Sequence, residues 1–294
     1  MRTTRFICNT SGSGKTRRML EVLTKYWGFY IVTAPDWNGV GVSDLQNALD
    51  DLAQYSEWMS DLKTINVAER ATQERTNSQI TSKQLRKVLA ARVVVFDLFL
   101  ELAIQADGTL QEKHKRIWLL FQLSDTPIRS VTEPTEPHPF VRIIDRCLGH
   151  ASSTALDTLV NRLGGIRSKY LQSPLFILGL DEAQWAFRKY PRSFISSTDP
   201  AIFRSIIREV VKVFTKWPIK LIVSGTGVSR KDLEDSMVSG VSKAQPVEMF
   251  HELGMFDTLP KLRSFVERYV PAYILESDSG HRLQHRMREY LLGR

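Results

Sequence analysis

Cysteine is scarce in this chain of 294 residues, which holds only Cys8 and Cys147. Two cysteines so far apart make neither a disulfide framework nor a zinc set. Cys8 falls in an apolar stretch and reads as a small core residue. Long hydrophobic runs are missing as well. No stretch reaches the roughly 20 apolar residues of a membrane span, so no membrane partner is expected. The N-terminus carries no apolar leader, because Arg2, Thr3, Thr4 and Arg5 run straight into the first hydrophobic segment. Charge of one sign is not gathered into blocks. The net charge of +8 is spread along the chain, so a solvated basic surface explains it at least as well as a nucleic-acid groove. No internal repeat is found. These absences point to a soluble protein of a reducing compartment, cytoplasm or nucleus, with secretion left open.

What is present is ordinary globular material, 43% hydrophobic and 24% charged, enough for a large core in one big α/β domain with an insertion or appendage. The most informative stretch runs from Phe6 to Met19: Phe-Ile-Cys-Asn-Thr-Ser-Gly-Ser-Gly-Lys-Thr-Arg-Arg-Met. A short apolar strand, a glycine-bearing turn and a helix opening at Lys15-Thr16 follow one another, the order a phosphate-binding P-loop needs. Gly12 and Gly14 let the backbone approach a polyphosphate. The turn Ser11-Gly12-Ser13-Gly14 would form an anion nest with the positive helix N-terminus behind it, a cradle that runs on through Lys15, Thr16 and Arg17. Lys15 is expected on the β- and γ-phosphates of ATP, and the Thr16 hydroxyl on Mg²⁺. Asn9 stands where the pattern wants its first glycine, and asparagine tolerates positive φ better than most residues. The plainer alternative is a small-residue turn that happens to contain Gly-Lys-Thr.

After a helix over Lys15–Tyr26, Phe29–Thr33 reads as a second strand, completing a βαβ unit with parallel strands. Helical periodicity is expected over Ser43–Met59, Ser82–Ile104, Gln111–Leu123, Phe140–Leu148 and Thr154–Leu171, the last kinked near Gly164-Gly165. Residues 61–80 are polar and poorly patterned, a loop or frayed helix. Ser124–Phe140, with Pro127, Pro134, Pro137 and Pro139, reads as an exposed loop.

The second motif is Leu175-Phe-Ile-Leu-Gly-Leu-Asp181-Glu182-Ala183-Gln184. A strand without polar alternation is buried on both faces, and acids at its C-terminal end stand where α/β folds bind ligands. It reads as a Walker B motif. Asp181 would hold Mg²⁺ opposite Thr16, and Glu182 would polarise the water that attacks the γ-phosphate. An adjacent glutamate marks the additional-catalytic-glutamate branch of P-loop proteins. Asp-Glu-Ala-Gln also bears a weak likeness to helicase motif II. A helix over Ile202–Thr215, with Arg204, Arg208 and Lys212 on its polar side, leads to a strand over Ile219–Ser224 and then Gly225-Thr226-Gly227. Ser224 or Thr226 fits the sensor position beside the γ-phosphate, with Thr226 preferred; a plain Gly-Thr-Gly turn is the alternative. Arg188, Lys189 and Arg192 suit contact with nucleotide or nucleic acid or a plain solvated face, and Arg230 suits phosphate contact, an in-cis arginine or simple exposure. His281 and His285 have metal-binding spacing but no third ligand.

With these motifs placed, the chain resembles the P-loop NTPase module of Crinkler-type effector proteins, which is similar to that of retrotransposon hot spot proteins. The residues that carry the resemblance are Thr10–Arg17, Trp27-Gly28-Phe29-Tyr30, Leu180–Gln184, Ser224–Gly227 and Phe256-Asp257-Thr258. It implies an ATPase module of mobile-element ancestry, with Lys15, Thr16, Asp181 and Glu182 as the ATPase set. It also implies a C-terminal effector or nuclease-like domain in a longer chain, and an arginine-bearing element of which Gly293-Arg294 would be the start. No nuclease motif is visible.

The expected fold is a three-layer α/β P-loop NTPase with a parallel sheet. Its core is expected at 1–60 and 172–250, a helical insertion between the second strand and the Walker B strand at 61–171, and a C-terminal helical part at 251–294 that continues beyond Arg294. The Walker B strand is expected beside the P-loop strand. The expected function is Mg²⁺-dependent ATP hydrolysis that powers or switches an attached domain or a homo-oligomer. A nucleotide switch with negligible turnover and a nucleic-acid-remodelling or transposition helper are the alternatives.

Overall fold

The computed structural model describes residues 4–8, 14–33, 40–123, 136–171, 173, 175–196, 199–226, 247–250, 260, 263–264, 267, 271–282 and 285–286, with backbone alone for 4–8, 247–250 and 272. The chain divides into two compact units, Met1–His251 and Glu252–Arg294.

The first unit is a mixed α/β structure. Strand β1 (Thr4–Cys8) leads to helix α1 (Lys15–Lys25) and strand β2 (Gly28–Val32). Helices α2 (Asp44–Asp50), α3 (Val67–Asp107), α4 (Glu112–Phe121), α5 (Pro139–Cys147) and α6 (Ser153–Ile166) come before strand β3 (Ile177–Asp181). Helix α7 (Gln184–Arg188), a two-residue antiparallel pair β4 (Phe194–Ile195) and β5 (Phe203–Arg204), and helix α8 (Ile207–Phe214) lead to β6 (Lys220–Gly225) and β7 (Val247–Phe250). Five strands form one sheet in the order β2-β3-β6-β1-β7, and every pairing is parallel.

This order corrects one expectation. The strand ending in Asp181 does not lie beside β1, because β6 stands between them. Each of these strands is a short apolar run, and strands buried on both faces carry no pattern that ranks their neighbours.

Helices cover both faces. Phe29, Ile31, Leu178, Leu180, Leu221 and Val223 share one core with buried residues of α2, α3, α6 and α8. The alternate residues face α1, where Met19 and Leu23 are buried. The fit on that side is close. A Cβ on Gly179 would lie 2.5 Å from the Met19 sulfur and 2.8 Å from its Cγ, and one on Gly28 would overlap the Ile177 carbonyl. Gly179→Ala is therefore expected to cost about 1–3 kcal/mol by overpacking and to lift the start of α1, which urea unfolding and nucleotide titration of the same variant check together.

The helices between β2 and β3 also close the outer edge of the sheet. Strand β2 is an edge strand, and such an edge offers unpaired backbone groups. Here the Tyr30 N–H donates to Gln122 Oε1 (3.0 Å), the Tyr30 carbonyl accepts from Arg92 Nη1 (2.7 Å), and the Gly28 carbonyl accepts from Trp118 Nε1 (2.8 Å). Arg92 is itself paired in bidentate fashion with Asp44, both contacts 2.7 Å, and both side chains are fully buried.

Three helix expectations need correction. Residues 61–80 are mostly helix, since α3 runs unbroken from Val67. Its polar residues hid the pattern: most lie at the surface, and two meet partners distant in sequence. Asn77 donates to the Met59 and Ser193 carbonyls (2.7 and 2.8 Å), and Ser78 donates to Glu209 (2.7 Å). The Gly164-Gly165 pair does not break α6, and the departure is a π-turn at Arg167–Leu171. Helix α8 starts at Ile207 because Phe203–Arg204 pairs as a strand, and Arg208 is buried against Glu74 rather than solvated.

Among the described residues no helix is long and apolar enough to cross a membrane. In the second unit, α9 (Ala272–Leu275) buries Leu275. Residues 124–135 of the expected loop, Arg230, Gly227, Phe256-Asp257-Thr258 and Gly293-Arg294 lie outside the described residues.

Candidate nucleotide site

Helix α1 begins where the sequence places the end of a glycine turn. Gly14 is its N-cap, in the left-handed region at φ +81°, a conformation that favours glycine. Its carbonyl accepts from the Arg18 N–H (2.9 Å). Lys15 is the first helical residue and is buried, while Thr16 is half-buried. Arg17 bonds Glu21 one turn on (3.0 Å), and Arg18 bonds the same carboxylate (3.0 Å). Arg18 and then Arg17 hold the Glu21 carboxyl below its ordinary range. Asn9, Ser11, Gly12 and Ser13 lie outside the described residues.

The packing of α1 fixes where Lys15 comes. Lys15, Met19 and Leu23 are its buried residues, four apart and hence on one face. Leu23 sits against Gly28, which pairs with Ile177, and Met19 sits on Gly179. In a parallel β-α-β unit the helix runs back against the strands. Four helical residues advance about 6 Å and two strand residues about 6.6 Å. The stripe Leu23–Met19–Lys15 therefore keeps step with Ile177–Gly179–Asp181. One turn before Met19 brings Lys15 level with Asp181, on the same face of the sheet.

The strand ends line up at this edge. Val32 pairs with Asp181, Leu180 with Val223, and Ile7 with Ser224. Asp181 is thus level with Ser224. Both carboxylate oxygens of Asp181, a buried residue, are engaged: Oδ2 accepts from the Tyr30 hydroxyl (3.0 Å) and Oδ1 from the Glu182 N–H (2.9 Å).

Glu182 has a backbone that its side chain disfavours, with φ +54°. A non-glycine residue there is uncommon, and it persists where the surroundings over-determine it. They do so here. Its N–H is on Asp181, its carbonyl accepts from the Thr33 hydroxyl and from the Trp185 N–H (3.0 Å), and the next N–H, of Ala183, donates to the Ser224 carbonyl (2.9 Å). Its carboxylate accepts from Gln184 Nε2. The other end of that amide, Gln184 Oε1, accepts from the Thr226 N–H (3.0 Å).

Of the two sensor candidates, Ser224 is fully buried and its hydroxyl has no hydrogen-bond partner among the described residues. Alternation along β6 puts it on the α1 face with Asp181, since Leu221 and Val223 belong to the opposite core. Thr226 lies just past β6, half-buried, held through its backbone by Gln184.

Thr16 at the start of α1 and Asp181 at the end of β3 both offer oxygen. Hard oxygen donors suit Mg²⁺, which takes one or two carboxylates and completes its shell with phosphate and water. An orphaned buried hydroxyl at Ser224 fits a site shaped for a further oxygen ligand. Among the described residues no group of three His, Cys, Asp or Glu gathers, the His281–His285 spacing included.

Three residues of the site escaped sequence reasoning as contributors. Tyr30 and Thr33 read only as strand residues, although a threonine at the C-terminal end of a parallel strand is a place to look. Gln184 was noticed only within Asp-Glu-Ala-Gln. Comparison with known proteins found no matching family model, no matching curated protein and no matching solved structure.

Proposed function

We propose that this chain binds ATP with Mg²⁺ and hydrolyses it as a P-loop NTPase of the additional-glutamate kind. The observation that carries this reading is the shared level of Lys15, Asp181 and Ser224 at one sheet edge, with Glu182 next in the chain. The position of β6 supports it further. Strands lie about 4.8 Å apart, so the one intervening strand sets the ends of β1 and β3 about twice that width apart. A terminal phosphate with its attacking water needs such a spacing, and Ser224 lies near the end of the strand between.

In this reading Gly14 and the turn before it wrap the phosphates, and Lys15 neutralises the β- and γ-oxygens. Thr16 and Asp181 would hold Mg²⁺, which supplies charge neutralisation for the transferring phosphoryl group. Tyr30 orients the Asp181 carboxylate. Glu182 takes the proton of the water aligned with the γ-phosphorus. Ser224 donates to a γ-oxygen, which gives its orphaned hydroxyl a partner and displaces Thr226 as the preferred sensor. The resemblance to Crinkler-type modules agrees with this set.

Glu182→Gln tests the reading. It is expected to lower ATP turnover about 100-fold or more, within the range general-base removal costs, and to leave the affinity for a fluorescent ATP analogue within about threefold. Wild-type turnover too slow to lose a hundredfold would favour a nucleotide switch instead. A nucleic-acid-stimulated ATPase is a second reading, favoured by Trp185, 56% exposed, and the exposed Arg188 three residues on. An aromatic face beside a guanidinium suits a stacked base. Stimulation by single-stranded DNA that fades with salt would support it.

A further inference from the structure

We propose that Gln184 is the positioning residue of Glu182, tying the water-activating carboxylate to the end of β6 that senses the phosphate; the inference rests on the hydrolase reading above. A primary amide carries a donor and an acceptor on one rigid group. Gln184 uses both, with Nε2 on the Glu182 carboxylate and Oε1 on the Thr226 N–H (3.0 Å). The two partners are 44 residues apart in sequence (226 − 182) and belong to different strand ends. A main-chain bond, Ala183 N–H to the Ser224 carbonyl (2.9 Å), runs beside this bridge. The backbone after Glu182 and the side chain of Glu182 are thus both referenced to β6.

The need for such a tie follows from the glutamate itself. Its side chain rotates about three bonds, and a catalytic group must be held within about 0.5 Å of its working position. The left-handed backbone at Glu182 aims the side chain without restraining its far end. A cation could restrain it, but would neutralise the carboxylate. A neutral amide restrains it and leaves the charge in place. Asparagine is one methylene shorter and does not span the two partners. The same bridge makes the acid responsive. Ser224, a buried hydroxyl with no partner among the described residues, lies two residues before Thr226. A phosphate that engages Ser224 acts on the strand end from which Gln184 hangs, so the carboxylate is set when the phosphate is seated.

The experiment compares steady-state ATP turnover and fluorescent-analogue affinity in wild type, Gln184→Met and Gln184→Glu, with melting temperatures alongside. Methionine keeps the volume and makes neither bond. Glutamate keeps the acceptor for the Thr226 N–H and loses the donor to Glu182. Both variants are expected to lower kcat about 10- to 100-fold, the cost of misplacing a reacting group by about 1 Å, with affinity within about threefold of wild type. Unchanged kcat in Gln184→Glu overturns the proposal. So does a parallel loss of kcat, affinity and melting temperature, which marks a purely structural residue. If Gln184→Met does not fold, Gln184→Glu alone decides. Glu182→Gln in the same assay separates the two levels. Full turnover in that variant overturns the hydrolase reading, whereas an inactive Glu182→Gln beside a fully active Gln184→Glu overturns only the role of Gln184.

Discussion

Lys15→Ala is expected to abolish nucleotide binding. Lys15 is buried at the first position of α1, one turn before the Met19–Gly179 contact that sets the helix against the sheet. A cation so placed adds to the positive end of the helix, and in the proposed reading it would face a polyphosphate in a partly desolvated setting. Hydrogen bonds to charged groups contribute about 1.5–3 kcal/mol each. Two phosphate contacts then amount to roughly 10²- to 10⁴-fold in affinity. Part of any loss could come from the aliphatic stem, which packs as the head reaches its target. Lys15→Met keeps that stem and should lose affinity as fully as alanine, with an unchanged melting temperature. Calorimetric titration with ATP and Mg²⁺ measures both. Affinity retained within threefold in Lys15→Met would remove the phosphate-loop assignment.

The largest stability effect is expected at Arg92, on the opposite face of the sheet from α1. Its guanidinium meets Asp44 through two 2.7 Å contacts, donates to the Tyr30 carbonyl, and stands 4.4 Å from the Phe140 ring centre. Arg92→Met leaves a carboxylate buried without its partner, at a cost of about 3–5 kcal/mol. For a domain of this size the melting temperature should fall by roughly 6–20 °C. The pair itself need not be net stabilising, because taking two charges from water is costly. Arg92→Met combined with Asp44→Leu is therefore expected to recover most of the loss. A single variant that loses less than about 1 kcal/mol in urea unfolding would mean that Asp44 finds water or another donor. Arg92 also fixes the backbone of Tyr30, whose hydroxyl holds Asp181, so the single variant should weaken turnover as well.

The parts of this molecule that could be read in advance are those encoded locally. The apolar run ending at Cys8, Gly14 before Lys15, and the run from Leu175 to Asp181 each carry their meaning within a dozen residues. Their meeting at one edge follows from parallel pairing. What stayed hidden depends on partners distant in sequence. Asn77 looks like a loop residue until Met59 and Ser193 are seen beside it. Tyr30 bonds an acid 151 residues away. The placement of β6 between β1 and β3 is decided by the packing of whole helices, which no strand records in its own composition. Sequence reasoning preferred Thr226 to Ser224, whereas burial and a hydroxyl without a partner among the described residues are what favour Ser224 in the proposed reading.

The positive φ at Glu182 has a consequence for variation. A glycine there would release about 1 kcal/mol or more, so on the hydrolase reading the fittest sequence for durability differs from the fittest for chemistry. Screens that select only for heat resistance or soluble yield should drift toward glycine or asparagine at 182 and return robust, silent proteins. A library meant to keep the chemistry has to hold that codon fixed and seek its gains elsewhere.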